Sequence, residues 1–280
     1  MPSPLIPTRL FGIIGHPLGH SLSPLLHNWG FGHFGLPGVY MAWPVAAGRV
    51  ADFMTAVRLL GIEGVSVTIP HKAAVMEYVD EVTDRARAVG AVNTLFWRDG
   101  KLWGENTDVA GFVAPLREIS GLPGTALVVG GGGAARAAVA GLGELGVPEI
   151  WVTNRTAEKA RELARDFGVG CVAWEDRGER AGGLVVNATP LGMLGKNEGL
   201  SPMPAGSVGA GAVAYDLVYN PHETAFLRDA AAAGARVIPG LAMFFGQAVE
   251  QFRLWTGCEL PRAEGMALLR KALYGEGVGA

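Results

Sequence analysis

Ala126-Leu127-Val128-Val129-Gly130-Gly131-Gly132-Gly133-Ala134-Ala135 decides the fold. Four apolar residues make a short buried strand, the glycines turn the chain sharply, and an alanine-rich stretch to about residue 145 is helical. Residues 149–153 form the next strand. Gly130, Gly132 and Ala135 thus fall at the G-x-G-x-x-A positions of a dinucleotide fingerprint, in the strand–turn–helix–strand setting that the motif needs. Glycines let the backbone approach a pyrophosphate, and the helix N-terminus supplies N–H donors. A merely structural turn is the competing reading, and the context on both sides weighs against it.

Downstream, the next strand ends at Asn154-Arg155-Thr156, with Lys159 nearby. An NAD site usually carries an acidic residue about 20 positions beyond the glycines, bound to the ribose 2′-hydroxyl. No acid stands there, and guanidinium and hydroxyl groups suit a 2′-phosphate. The expected cofactor is NADP. Strands at 184–187, 213–217 and 236–238 continue the sheet, with a helix over 224–234 and amphipathic helices over 241–255 and 262–274 closing the chain.

Upstream, Gly64-Val65-Ser66-Val67-Thr68-Ile69-Pro70-His71-Lys72 alternates like a strand that Pro70 ends, so that His71 and Lys72 emerge at its C-terminal end. Open α/β sheets bind ligands there. The chain has five lysines against eighteen arginines, so a lysine at this place invites a chemical role. A surface lysine opening a helix at Ala73 is the blander alternative and the stronger one on this segment alone. Strands are expected at 10–14, 38–45 and in a hairpin, 92–97 with 101–104, that turns at Asp99-Gly100. Helices are expected at 23–34, 50–60, 73–89 and 109–119. Ser23 before Pro24 reads as a helix N-cap, and Ser21 with Ser23 could instead hold a carboxylate or phosphate. Asp108 has the same two readings, cap or functional acid.

With 280 residues the chain is long enough for two domains, and 49 % apolar content is ample for their cores. A net charge of -3 without a basic cluster implies no nucleic-acid or anionic-membrane partner, and no apolar run is long enough to span a membrane. The 42 glycines are about twice the usual share of roughly 7 % and have no collagen-like period. His16, His20, His27 and His33 fit no zinc spacing, so no metal is expected. Two cysteines, Cys171 and Cys258, with no charged-then-apolar leader point to a reducing cytoplasm.

These motifs together resemble the NADP-dependent shikimate dehydrogenase family along nearly the whole chain. The likeness is carried by Gly15–Asn28, Val67–Lys72, Gly90–Thr94, Asn106-Thr107-Asp108, the glycine turn and Asn154-Arg155-Thr156. It continues in Asn187-Ala188-Thr189-Pro190, Asp216–Pro221, Gly240–Met243, Gln247-Ala248 and Trp255-Thr256-Gly257. The resemblance implies reversible reduction of 3-dehydroshikimate to shikimate, a step of aromatic amino-acid (chorismate) biosynthesis, by a monomer or homodimer. It implies a discontinuous α/β substrate domain, 1–107 with 241–280, around a Rossmann-type NADP domain of parallel sheet, 108–240, with the catalytic centre in the cleft between them. Lys72 and Asp108 match the catalytic pair. Ser21 and Ser23 match carboxylate binders, and Thr68, Asn93, Asp108 and Gln247 match groups that bind ring hydroxyls. Tyr219 matches a tyrosine at the substrate. Gly130, Gly131, Gly132, Gly133, Ala134, Asn154, Arg155, Thr156, Lys159, Leu217 and Gly240 fall at cofactor positions.

One departure is Ser66, where the family usually has Asn, so hydrogen bonding on the substrate side is expected to be rearranged. Quinate/shikimate dehydrogenases share the motifs, but their NAD-using members call for an acid near Arg155. A methylenetetrahydrofolate dehydrogenase would not need the paired serines, and a non-catalytic NADP(H) sensor would not need both Lys72 and Asp108.

Overall fold

The computed structural model describes residues 6–19, 21–195 and 197–275. Contacts separate two compact units, one of the chain up to Thr107 together with that from Ala248 on, the other Asp108–Gln247.

In the first unit, β1 (Arg9–Gly15), β2 (Gly38–Pro44) and β3 (Gly64–Val67) are parallel, with α1 (Ser23–His33) and α2 (Val50–Leu59) between them. β4 (Glu81–Val82) and α3 (Asp84–Val89) precede a hairpin, β5 (Thr94–Arg98) and β6 (Lys101–Glu105). The sheet order is β2-β1-β3-β5-β6-β4, and β3 pairs with β5 antiparallel, so this sheet is mixed rather than parallel throughout. The hairpin turns at Asp99 and Gly100, both with positive φ (51° and 73°), the geometry for which Asp-Gly is suited. Val65 and Val67 join Ile14, Met54, Val57 and Leu95 in one core. On the other face Phe11 packs on Phe31 and Trp255, with ring centroids 4.8 and 5.6 Å apart. Trp255 comes from α8 (Leu241–Thr256), and α9 (Arg262–Tyr274) follows it. The backbone lies so close to Trp255 at Gly64 that a Cβ there would stand 2.3 Å from its Nε1.

The second unit is a six-stranded parallel sheet of β7 (Thr125–Val129), β8 (Glu149–Thr153), β9 (Gly170–Cys171), β10 (Leu184–Asn187), β11 (Val213–Asp216) and β12 (Arg236–Ile238). Its order, β12-β11-β10-β7-β8-β9, is that of a doubly wound dinucleotide-binding sheet, with the switch point between β7 and β10. α4 (Thr107–Arg117), α5 (Gly133–Glu144), α6 (Ala157–Phe167) and α7 (Ala225–Ala232) complete it.

Four expectations are corrected. Residues 73–89 are not one helix: a 3-10 turn, Ala74–Tyr78, gives way to β4 and α3. Val79 is extended, Asp80 bonds Leu102 through both backbone and carboxylate, and Thr83 caps α3 by accepting from the Ala86 N–H. Ser23 is not an N-cap but the first residue of α1, and Ser21 Oγ accepts from the Ser23 N–H at 3.3 Å. Asp108 lies inside the first turn of α4, not at its cap. The division near the C-terminus falls after Gln247 rather than Gly240. The early turns of α8 press on α4, where a Cβ on Gly111 would stand 2.6 Å from both Gln247 N and Met243 O. α6 was not among the expected helices, although Thr156, Glu158 and the Ala160/Leu163/Ala164 face are a helix signature.

Candidate functional site

Pairing in the first unit puts its chemical residues along one sheet edge. β1 and β3 are parallel, so the segments after Gly15 and Val67 leave at the same end, carrying Ser21, Ser23, Thr68 and Lys72. β5 runs opposite to β3, with Ser66 facing Thr94, which brings Asn93 to that end too. Backbone bonds tie these segments together. His16 N–H donates to the Ile69 carbonyl at 2.9 Å, Val67 N–H to Asn93 at 2.7 Å, and Val92 N–H to Lys72 at 2.8 Å. Lys72 is half-buried, one residue beyond a buried His71 whose Nε2 bonds the Val45 carbonyl at 2.7 Å. His71 therefore turns inward as a structural residue and does not emerge at the ligand edge.

In Asn106-Thr107-Asp108 the first two residues hold neighbouring backbone and side chains. Asn106 Nδ2 donates to the Ala91 carbonyl at 2.9 Å, and Thr107 N–H to Asn93 Oδ1 at 2.7 Å. Both hold the Gly90–Thr94 stretch, while Asp108 is half-buried in the first turn of α4. Ser66 is 5 % exposed and takes part in a buried network: Tyr40 OH donates to it at 2.6 Å, and it donates to Gln251 Oε1 at 2.8 Å. Burial pushes the Tyr40 phenol upward, opposed by its contacts with the Ser66 and Ser23 hydroxyls. His27 is fully buried against Tyr40 and Trp255, with ring centroids 4.6 and 5.0 Å away. Burial lowers its pKa to about 3, and a contact with the Gln251 carboxamide opposes this only partly. His20 lies outside the described residues, and no group of three or more candidate metal ligands exists among those described.

In the second unit, the Gly111–Gly246 crossing lets α4 and α8 touch backbone to backbone, a Cβ on Gly246 standing 2.9 Å from Gly111 Cα. Asp108, one turn before Gly111, and Gln247, next to Gly246, are thus carried by two helices in direct contact. Gln247 Nε2 donates to the Phe244 carbonyl at 2.9 Å, and Phe244 packs on Tyr219 with ring centroids 5.2 Å apart. Burial raises the Tyr219 phenol above its ordinary value. Gly240 brings Leu217 alongside, since a Cβ there would meet Leu217 C at 2.7 Å.

The glycine turn sits at the switch point. Gly130 has φ 141°, and a Cβ on it would stand 2.8 Å from the Ala188 carbonyl, so glycine is required for β7 and β10 to end this close. Gly132 and Gly133 have open space where a Cβ would stand, so the backbone at the start of α5 is approachable by a ligand. Ala135 is fully buried. Gly131 abuts Lys159 and Asn154, with its Cβ position 2.8 Å from Lys159 Cβ. Arg155 and Thr156 are exposed at the start of α6, and Thr156 makes no side-chain cap bond. These residues fit a dinucleotide: an open glycine backbone for the pyrophosphate, and a cationic, hydroxyl-bearing helix start for a phosphate.

Residues 13–95 match the shikimate dehydrogenase substrate binding domain, 119–176 a shikimate / quinate 5-dehydrogenase model, and 240–270 the shikimate 5'-dehydrogenase C-terminal domain. The chain is 55 % identical over 276 residues to the shikimate dehydrogenase (NADP(+)) of Oleidesulfovibrio alaskensis, covering 98 % of this chain and 99 % of the relative. It is 51 % identical over 267 residues to that of Maridesulfovibrio salexigens, covering 95 % and 98 %. The chain belongs to the shikimate dehydrogenase family. Within that family, the Thermus thermophilus shikimate 5-dehydrogenase, solved in complex with NADP(H) and shikimate, superimposes with a TM-score of 0.86 at 40 % identity, covering 95 % of this chain and all of that one.

Two of the family's motifs are joined by a bond that no local sequence pattern records. Asn187 Nδ2 donates to Asp216 Oδ1 at 2.9 Å, and Asp216 also accepts from Val218 N–H at 2.9 Å and Thr224 Oγ1 at 2.6 Å. This hub fixes the loops after β10 and β11, from which Leu217 and Tyr219 extend. Asp216 has no exposed surface, and burial raises its pKa to about 6 against the pull of those three donors. A buried acid flanked by apolar strand residues was the available signal.

Proposed function

We propose that the chain is an NADP-dependent shikimate dehydrogenase, reducing the ketone of 3-dehydroshikimate to the alcohol of shikimate and running the reverse. The observation that carries this reading is the gathering of Ser21, Ser23, Thr68, Lys72 and Asn93 at one edge of a sheet whose sequence matches the shikimate dehydrogenase substrate binding domain. The Ser21 and Ser23 hydroxyls donate to the substrate carboxylate. Thr68, Asn93, Asp108 and Gln247 bind the ring hydroxyls, with Tyr219 beside them. NADPH supplies the hydride. Gly130–Gly133 and Ala134 would hold its pyrophosphate, Asn154, Arg155, Thr156 and Lys159 its 2′-phosphate, and Leu217 and Gly240 would line its remaining length.

Hydride addition leaves negative charge on the former ketone oxygen, which needs a proton as it forms. The Lys72 ammonium supplies it, and in the oxidising direction the amine takes it back. Asp108 orients that ammonium and a ring hydroxyl. Cys171 and Cys258 are both free thiols, in keeping with a cytoplasmic enzyme, and we place it there as a monomer or homodimer. No helix among the described residues is long and apolar enough to cross a membrane. The test is turnover. The purified protein should reduce NADP when given shikimate, whereas tight NADP binding with no turnover would mark a sensor.

A further inference from the structure

Beneath the substrate edge of the first unit runs an unbroken line of buried hydroxyl and carboxamide groups. Tyr40, Ser66, Gln251, Thr94 and Asn93 are each at most 5 % exposed. Tyr40 OH donates to Ser66 Oγ at 2.6 Å, and Ser66 Oγ donates to Gln251 Oε1 at 2.8 Å. Gln251 Nε2 in turn donates to Thr94 Oγ1 at 3.0 Å and to the Asn93 carbonyl at 3.4 Å. Thr94 Oγ1 donates to Asn93 Oδ1 at 2.8 Å, and that oxygen also accepts from Thr107 N–H at 2.7 Å and Thr107 Oγ1 at 3.1 Å. Each hydroxyl has a single proton, and both Tyr40 and Ser66 pass theirs toward α8. The Gln251 oxygen must therefore face Ser66 and its amide nitrogen Thr94. That orientation leaves the Thr94 proton for Asn93 Oδ1 or for Thr107 Oγ1, which stands 3.0 Å away. Whichever hydroxyl donates, Oδ1 is the end of the Asn93 carboxamide that faces Thr94 and Thr107.

We infer that Gln251 is a positioning residue of the substrate site, holding Ser66 and Thr94 at once and through them the orientation of the Asn93 carboxamide. The inference rests on the reading of Asn93 as a substrate contact. It also accounts for serine at position 66, whose hydroxyl meets a carboxamide supplied from α8, 185 residues away in sequence. Buried hydroxyls left without their partners reorient or lose a bond, and each such loss in a neutral network is modest. Thr107 N–H stays on Asn93 Oδ1 in any case, so loss of Gln251 loosens the site without abolishing it.

The test is a double-mutant cycle of Gln251→Met and Asn93→Ala, with kcat and the KM of shikimate and of NADP measured for all four proteins. Gln251→Met should raise the shikimate KM roughly three- to tenfold, with the NADP KM unmoved within about twofold. In the Asn93→Ala background the same change should add less than about twofold. An equal factor in both backgrounds, or a parallel rise in the NADP KM, overturns the inference. If Gln251→Met does not fold, Ser66→Ala cuts the same line on its other side and must show the same pattern on a smaller scale, or the inference fails. An Asn93→Ala protein with unchanged shikimate KM would instead overturn the reading of Asn93 itself.

Discussion

Lys72 is the proton donor we propose. Its backbone carbonyl is bonded to Val92 next to Asn93, so the side chain starts from a fixed point at the substrate edge. A proton donor acts mainly as the alkoxide forms, so Lys72→Ala should cut kcat roughly 10²–10⁴-fold while shikimate binds nearly as before. Steady-state kinetics beside a direct binding titration would check this, and a fall of less than about tenfold in a folded variant would remove Lys72 from the role. His27 makes a residue-scale prediction about stability. Its folded pKa of about 3 lies below the ordinary 6.5, so the unfolded chain takes up a proton below pH 6.5 that the buried ring refuses. The stability present above pH 6.5 is therefore lost as pH falls toward 3. His27→Phe keeps an aromatic ring beside Tyr40 and Trp255 and removes this loss. Relative to that variant, the wild type should lose about 2–3 kcal/mol of unfolding free energy between pH 6.5 and 4.5, read from denaturant titrations. Parallel curves would mean that His27 is not held neutral.

At the scale of elements, the junction of β8 and α6 is the place we propose for cofactor choice. Arg155 is exposed beside a helix start whose Thr156 cap is unused, and Gly131 packs against Lys159 in the same helix. A guanidinium can grip a 2′-phosphate through two charge-assisted bonds, which a 2′-hydroxyl cannot match. Arg155→Ala should lower the ratio of kcat/KM for NADP over NAD by roughly 10- to 150-fold, the lower end being favoured because Thr156 and Lys159 remain. A ratio unmoved within about twofold would mean that Arg155 does not touch the phosphate. The elements differ in how much the sequence disclosed of them. The glycine turn was legible because its requirements are local: Gly130 and its neighbours sit between a strand and a helix that periodicity alone reveals. The stretch 73–89 was not, because β4 exists only through its pairing with β6, which no local pattern records. Ser23 misled for a similar reason. A serine before proline predicts a cap, but the loop delivers Leu22 to that position and leaves the Ser23 hydroxyl buried near Tyr40. The bonds Gln251–Ser66 and Asp216–Asn187 were not legible either, since these partners lie 185 and 29 residues apart.

Across the whole molecule, the substrate edge with Lys72 belongs to the first unit, and the cofactor turn, Asp108, Tyr219 and Gln247 belong to the second. The second unit has a pH response opposite in sign to that of His27. Asp216, with a folded pKa of about 6 against an ordinary 3.8, contributes stability that is complete below pH 3.8 and lost as pH rises through 6. At about 1.4 kcal/mol per pKa unit this amounts to roughly 3 kcal/mol relative to Asp216→Asn, and equal slopes for the two proteins between pH 4 and 7 would refute it. Two buried groups thus offset each other across the mildly acidic range, each within its own unit. The central claim is the identity of substrate and cofactor together, and the most direct measurement is kcat/KM for shikimate and quinate, each with NADP and NAD, at one pH and salt. The shikimate and NADP pair should exceed the other three, with the NAD pairs at least about tenfold weaker for want of a phosphate on Arg155. Turnover confined to quinate with NAD would contradict the account.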